Sequence, residues 1–161
     1  WMPVKARLDG YECRHGMGYT RITGAKDGLR AEQLSFVPRG VNALVTRVRL
    51  TNESAAEKAV SLFSFVEFCL WNAQDDSTNF QRNFSTGEVE VVGSTIYHKT
   101  EYRERRNHYA VYSVNKPVDG FDTSRDAFIG VYNGFANPEA VTEGKSKNGI
   151  AHGWQPIEAI I

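Results

Sequence analysis

Between Trp71 and Phe84 the chain gathers Asn72, Gln74, Asp75, Asp76, Asn79, Gln81, Arg82 and Asn83 among the rings of Trp71, Phe80 and Phe84. Amides both donate and accept hydrogen bonds, carboxylates accept, and a guanidinium offers several donors in fixed directions. Such a mixture suits a sugar, whose hydroxyls need partners and whose ring faces need apolar cover. Arg82 is the only Lys or Arg between Lys58 and Lys99, so nothing else in the stretch supplies that cation. The same residues also describe a loop that is polar because water faces it. Composition does not separate the two readings, and it names no particular sugar.

Other constellations are weaker. Glycoside hydrolysis usually needs two carboxylates placed across the scissile bond. Asp75 and Asp76 are adjacent, so in a strand they point to opposite faces and make no acid–base pair. The sequence holds no Gly-rich phosphate loop, nucleophile elbow or zinc-helix motif. Cys13 and His15 have ligand chemistry, yet no second pair stands at metal spacing, so zinc is not expected. Cys13 and Cys69 make no disulfide framework and read as two buried free thiols in strands. His15, His98, His108 and His152 show no partner in sequence and read as structural hydrogen-bonders. Asn52-Glu53-Ser54 and Asn83-Phe84-Ser85 match the N-glycosylation triplet, which is common by chance. Taken alone, these residues describe a binding or scaffolding domain with no cofactor.

The polar stretch must be positioned by its flanks, and Phe63 to Val92 is the segment that organises the chain. Val60, Leu62, Val66 and Phe68 are apolar on one parity, Phe63, Phe65 and Cys69 on the other. A strand from Ala59 to Leu70 buried on both faces is the expectation. After the Thr86-Gly87 turn, Glu88 to Val91 alternates as a half-buried strand. A core strand feeding a polar loop is how a scaffold presents a binding surface.

Upstream, Tyr19 to Thr23 is a short strand, and Lys26-Asp27-Gly28 closes a hairpin because Asp-Gly supplies positive-φ positions. Leu29 to Val37 alternates and ends at Pro38-Arg39-Gly40. Leu44, Thr46, Val48 and Leu50 share one face of the next strand, with Arg47 and Arg49 on the other. Downstream, Ile96 to His98 and Tyr109 to Val114 are strand-like, and Thr100 to Asn107 is a charged patch of intermixed sign. Ser124 is expected to cap one helical turn. Asn137-Pro138-Glu139 is a plausible helix start, and Tyr132 to Ile161 reads as loop-rich. Seven or eight short strands joined by turns, with no long amphipathic helix, argue an all-β antiparallel sandwich.

A chain of 161 residues suffices for one domain, and its formal net charge of zero implies no polyelectrolyte partner such as nucleic acid. No apolar run approaches the roughly 20 residues of a membrane span. We read the chain as cytoplasmic. It begins at Trp1 and reads as part of something longer.

Three long words carry a resemblance: YECRHGMGYTRI (Tyr11 to Ile22), FSFVEFCLWNAQDDSTNFQRNFSTGEVEV (Phe63 to Val91) and IYHKTEYRERRNHYAVYSVN (Ile96 to Asn115). With FDTSRDAFIGVYNGF (Phe121 to Phe135), they resemble the cellobiose phosphorylases, inverting disaccharide phosphorylases of glycoside hydrolase family 94. The resemblance implies that residues 1–161 are part of an N-terminal β-sandwich of the galactose-mutarotase-like supersandwich type, incomplete here. It implies that the catalytic helical barrel, with its general acid and phosphate cradle, lies outside the chain. The family reaction turns cellobiose and inorganic phosphate into α-glucose 1-phosphate and glucose, phosphate replacing the second carboxylate of an inverting hydrolase. It further implies a homodimer in which Gln81 and Arg82 extend towards the acceptor-sugar site of the partner subunit. The alternatives are a phosphorylase for another β-linked disaccharide, a stand-alone carbohydrate-binding sandwich, and a dimerisation scaffold whose polar loop is only solvated.

Overall fold

The computed structural model describes residues 7–68, 74, 87–102, 105–151 and 157–160. The chain is mostly β, and among the described residues every strand pair is antiparallel. It divides into two compact units, Ala6–Val60 and Ser61–Ile161, the latter together with Trp1–Lys5.

The first unit is a four-stranded meander of β1 (Gly10–Gly16), β2 (Tyr19–Lys26), β3 (Leu29–Phe36) and β4 (Val45–Asn52), in that order. The Asp-Gly hairpin forms as expected, with φ of 50° at Asp27 and 72° at Gly28, the positive pair that a tight right-twisted turn requires. The register aligns Tyr11, Cys13 and His15 with Gly24, Ile22 and Thr20, then Ala31, Gln33 and Ser35, then Leu50, Val48 and Thr46. The opposite face carries Glu12, Arg14, Arg21, Glu32, Arg47 and Arg49. Asn52 is occupied locally: its Oδ1 accepts from the Ser54 backbone N–H at 3.1 Å and hydroxyl at 2.7 Å, and its Nδ2 donates to the Ala56 carbonyl at 2.7 Å. This is the turn chemistry that asparagine favours.

The second unit holds β5 (Phe65–Glu67), β6 (Gly87–Val92), β7 (Thr95–Tyr102), β8 (Arg105–Ser113), β9 (Asp122–Ser124), α1 (Arg125–Ile129), α2 (Glu139–Glu143) and β10 (Ile157–Ile160). Two three-stranded sheets result, β5-β10-β9 and β6-β7-β8. Phe128, Ile129 and Ala140 form a buried cluster against which Phe63, Phe65, Phe135 and Val141 pack.

Four expectations change. The strand from Ala59 to Leu70 shrinks to Phe65–Glu67, and Val60 and Leu62 are 51% and 58% exposed. Both-parity apolarity does not supply a ladder: among the described residues the strand partner of this run is β10, which reaches only Phe65, Val66 and Glu67. Cys13 lies in β1 as expected but is only half-buried, because the meander face around it is open; Cys69 lies outside the described residues. Ser124 precedes α1, yet its hydroxyl makes no capping bond, since Ser124 is still extended and paired with Ile157 in the sheet. The segment read as loop-rich contributes β10, the central strand of its sheet.

Candidate functional site

Gln81 and Arg82, the residues expected to reach a sugar, lie outside the described residues, as do Trp71, Asp75, Asp76 and Phe84. Gln74 is described and exposed. What the structure builds is the pair of anchors between which that stretch runs, Phe68 and Gly87.

The outgoing anchor is β5. Phe65 stacks on Phe128 at a centroid distance of 5.5 Å and meets Phe135 edge-on, also at 5.5 Å. Phe63 adds a tilted contact with Phe128 at 6.4 Å. Offset and edge contacts are the favoured aromatic geometries. Between them Glu67 pairs with Arg125, the first residue of α1, both side chains part-buried. The Arg125 guanidinium also lies 5.6 Å from the Phe135 centroid. Odd-numbered side chains of β5 thus fix the strand to α1 through rings and an ion pair.

The returning anchor is β6, whose Gly87 pairs with Thr100 and whose Val89 pairs with His98. Alternation sets Ile96 and His98 on one face of β7, and Ile96 is fully buried there. Phe68, one residue beyond β5, brings its ring within 6.1 Å of His98. The two anchors therefore converge at this imidazole. His98 is 8% exposed and its Nδ1 is buried without a hydrogen-bond partner. Burial pushes its pKa down to about 4, so the ring is neutral at pH 7. On the same face Tyr112, held by a hydrogen bond to Ser64, has its pKa raised by burial.

A second polar cluster fastens β9. The Asp122 carboxylate, fully buried, accepts the backbone N–H of Lys147 at 3.2 Å and of Gly149 at 2.9 Å, with a further hydrogen bond from Ser146. Burial raises its pKa, and those donors oppose the rise. Thr123 continues the stitch: its hydroxyl accepts from the Ala151 N–H at 2.9 Å. With three donors converging on it from the 146–149 loop, Asp122 is a fastening carboxylate.

Sequence reading missed both clusters. It treated all four histidines alike, whereas burial and the pKa that burial lowers distinguish His98. The apolar alternation around Ile96 and Tyr112 was the available signal. For Asp122 the signal was thinner, a single carboxylate in FDTS just ahead of a helix. Among the described residues no group of three or more His, Cys, Asp or Glu is placed to hold a metal, and no helix is long and apolar enough to cross a membrane.

Comparison with known proteins explains the architecture. The chain is 34% identical over 154 residues to the N,N'-diacetylchitobiose phosphorylase of Vibrio proteolyticus, covering 92% of this chain and 19% of that protein. It is 33% identical over 153 residues to the solabiose phosphorylase of Paenibacillus borealis, covering 94% and 20% respectively. A more distant likeness, 26% over 139 residues, is to the cyclic beta-(1,2)-glucan synthase NdvB of Rhizobium meliloti, where it spans 86% of this chain and 5% of that protein. The chain thus spans about a fifth of the length of the phosphorylases it matches. Residues 1–161 in full match the supersandwich domain of glycosyl hydrolase 94, and the all-β antiparallel chain belongs to that family.

Proposed function

We propose that this chain is the non-catalytic sandwich portion of an inverting disaccharide phosphorylase, acting on cellobiose and phosphate to give α-glucose 1-phosphate and glucose. In this reading the parent is a cytoplasmic homodimer, and Gln81 and Arg82 of one protomer contribute to the acceptor-sugar site of its partner. The observation that carries the reading is the family match over residues 1–161. It is supported by the phosphorylase names of the relatives and by the amide, guanidinium and ring content of Trp71 to Phe84. The donor set of the described residues is in keeping with a supporting role, because the most buried carboxylate, Asp122, is spent on backbone N–H groups.

A second reading is favoured by the relatives themselves, whose names specify N,N'-diacetylchitobiose and solabiose. It keeps the domain's role and changes the disaccharide. The test is phosphorolysis by the whole protein containing this chain, offered cellobiose, N,N'-diacetylchitobiose and solabiose with inorganic phosphate. Highest kcat/KM for cellobiose supports the first reading, and a clear preference for another sugar supports the second. Release of glucose 1-phosphate by residues 1–161 alone would overturn the non-catalytic role.

A further inference from the structure

Asn133 and Asn148 each precede a glycine, and both asparagines are exposed. Such a pair is open to cyclisation, because glycine carries no side chain to hinder attack by its backbone nitrogen on the asparagine amide. Attack needs two freedoms. The side-chain amide must swing towards the following nitrogen, and that nitrogen must give up its proton. At Asn148 both are restrained. Its Oδ1 accepts the Phe121 N–H at 3.1 Å, and the Gly149 N–H donates to Asp122 Oδ1 at 2.9 Å. A hydrogen bond to a carboxylate is stronger than a neutral one, and the negative charge also opposes loss of the amide proton. The Gly149 carbonyl accepts the Thr123 N–H at 2.8 Å, which fixes this peptide from its other end. Asn133 differs at each point. Among the described residues its side chain makes no hydrogen bond, and the Gly134 N–H donates to no partner. The space is open as well, since a Cβ built on Gly134 meets nothing within 4 Å.

We infer that Asn133 is a deamidation site, and that Phe121 and Asp122 hold Asn148 out of the same reaction. Hydroxide takes the Gly134 amide proton, and the nitrogen attacks Asn133 Cγ. The new C–N bond closes a succinimide ring as the side-chain nitrogen leaves as ammonia, taking a proton from water and restoring hydroxide. Water then opens the ring at either carbonyl, giving aspartate or isoaspartate at position 133, with no change of oxidation state. The product carboxylate falls near Glu139, because Asn133 Nδ2 and Glu139 Oε2 both border the space beside the Gly130 Cα. Glu139 is the partner of Lys147 at 2.6 Å, so the modification adds a negative charge beside an existing ion pair.

The experiment incubates the whole protein containing this chain at mildly alkaline pH and follows aspartate and isoaspartate at both positions by peptide mass spectrometry. In the native protein Asn133 is expected to convert at least about 10-fold faster than Asn148, the factor for breaking one hydrogen bond to a charged group. In the same protein unfolded in urea the two rates are expected to converge, since both asparagines then precede an unrestrained glycine. Gly134→Ala, whose added Cβ has open space, is expected to slow conversion at Asn133 and leave Asn148 as it was. Asp122→Ala frees the Gly149 N–H and is expected to raise the rate at Asn148 towards that of Asn133. Equal native rates at the two positions overturn the inference. So does an Asn133 that stays intact in the native protein while the unfolded protein converts. A folded Asp122→Ala protein with an unchanged rate at Asn148 overturns the protective role of the carboxylate. Should that variant fail to fold, the native comparison of the two asparagines decides by itself.

Discussion

His98 loses hydration on burial, and its imidazole gains no compensating hydrogen bond at Nδ1. Its native pKa of about 4 lies below the ordinary 6.5. Between those values the unfolded chain takes up a proton that the native chain declines. This contribution to stability is therefore complete above about pH 6.5 and is lost as the pH falls towards 4, at about 1.4 kcal/mol per pH unit and at most about 3.5 kcal/mol in all. His98→Leu keeps the apolar fill and removes the proton, so its melting temperature is expected to fall less than that of wild type between pH 7 and pH 5. Parallel pH profiles would show that the native imidazole accepts the proton after all. Arg82 is the residue-scale test of the sugar reading. A hydrogen bond to a charged group contributes about 1.5–3 kcal/mol. Arg82→Ala in the whole protein is therefore expected to lower kcat/KM for the disaccharide by roughly 10- to 150-fold. In the synthetic direction the loss should fall on the KM of the acceptor sugar, with the melting curve unchanged. Unchanged acceptor kinetics would return Arg82 to the solvated surface.

Single elements hang on a few polar bonds. Asp122, itself fully buried, holds the 146–149 loop against β9 through two part-buried backbone N–H groups and a hydroxyl. Asp122→Ala leaves those part-buried donors unmatched, at a cost of about 1–3 kcal/mol, or roughly 2–12 °C in melting temperature for a chain of this size. Asp122→Asn, which keeps one acceptor oxygen, is expected to recover part of it; equal damage from both would point to charge as the essential feature. The β2–β3 turn is the contrasting case. Gly28 sits at φ 72°, and an added Cβ would meet Ser54 Cβ at 3.0 Å. Its role was legible in the sequence because Asp-Gly between alternating segments has one favoured geometry. Local chemistry also revealed the breaks at Pro38-Arg39-Gly40 and Pro138-Glu139. Pairing was not legible. Ile157–Ile160 offers only four residues of pattern, and its place between β5 and β9 depends on partners about ninety and thirty positions away. The apolar run from Ala59 to Leu70 erred in the other direction, since apolarity on both parities marks burial potential and says nothing of a ladder. The candidate site divides the same way: the chemistry of Trp71 to Phe84 reads from residue types, whereas the convergence of its anchors on His98 needs the register.

At the scale of the whole molecule, the meander decides how the isolated chain behaves in solution. All eight residues of β4 are exposed, and Val48 and Leu50 stand on the same face as Ala31, Ile22 and Tyr11. Contiguous apolar surface of this kind is a place where proteins associate. Among the described residues β1 and β4 each pair on one side only, which adds open backbone edges. The opposite face is the more charged one, with Arg14, Arg21, Arg30, Arg47 and Arg49 against Glu12 and Glu32. The isolated chain is therefore expected to self-associate as its concentration rises, as measured by analytical ultracentrifugation, and to bind a dye for apolar surface. Val48→Thr with Leu50→Thr keeps strand propensity and removes apolar area, so it should shift the distribution towards monomer. Salt separates the causes. Contacts between exposed charges weaken when the screening length falls to about 3 Å at 1 M, whereas apolar association persists. A chain that stays monomeric with a cooperative melt at every concentration would show that the meander covers this face by itself. Association abolished by salt, and untouched by the double threonine variant, would assign it to the arginine face instead.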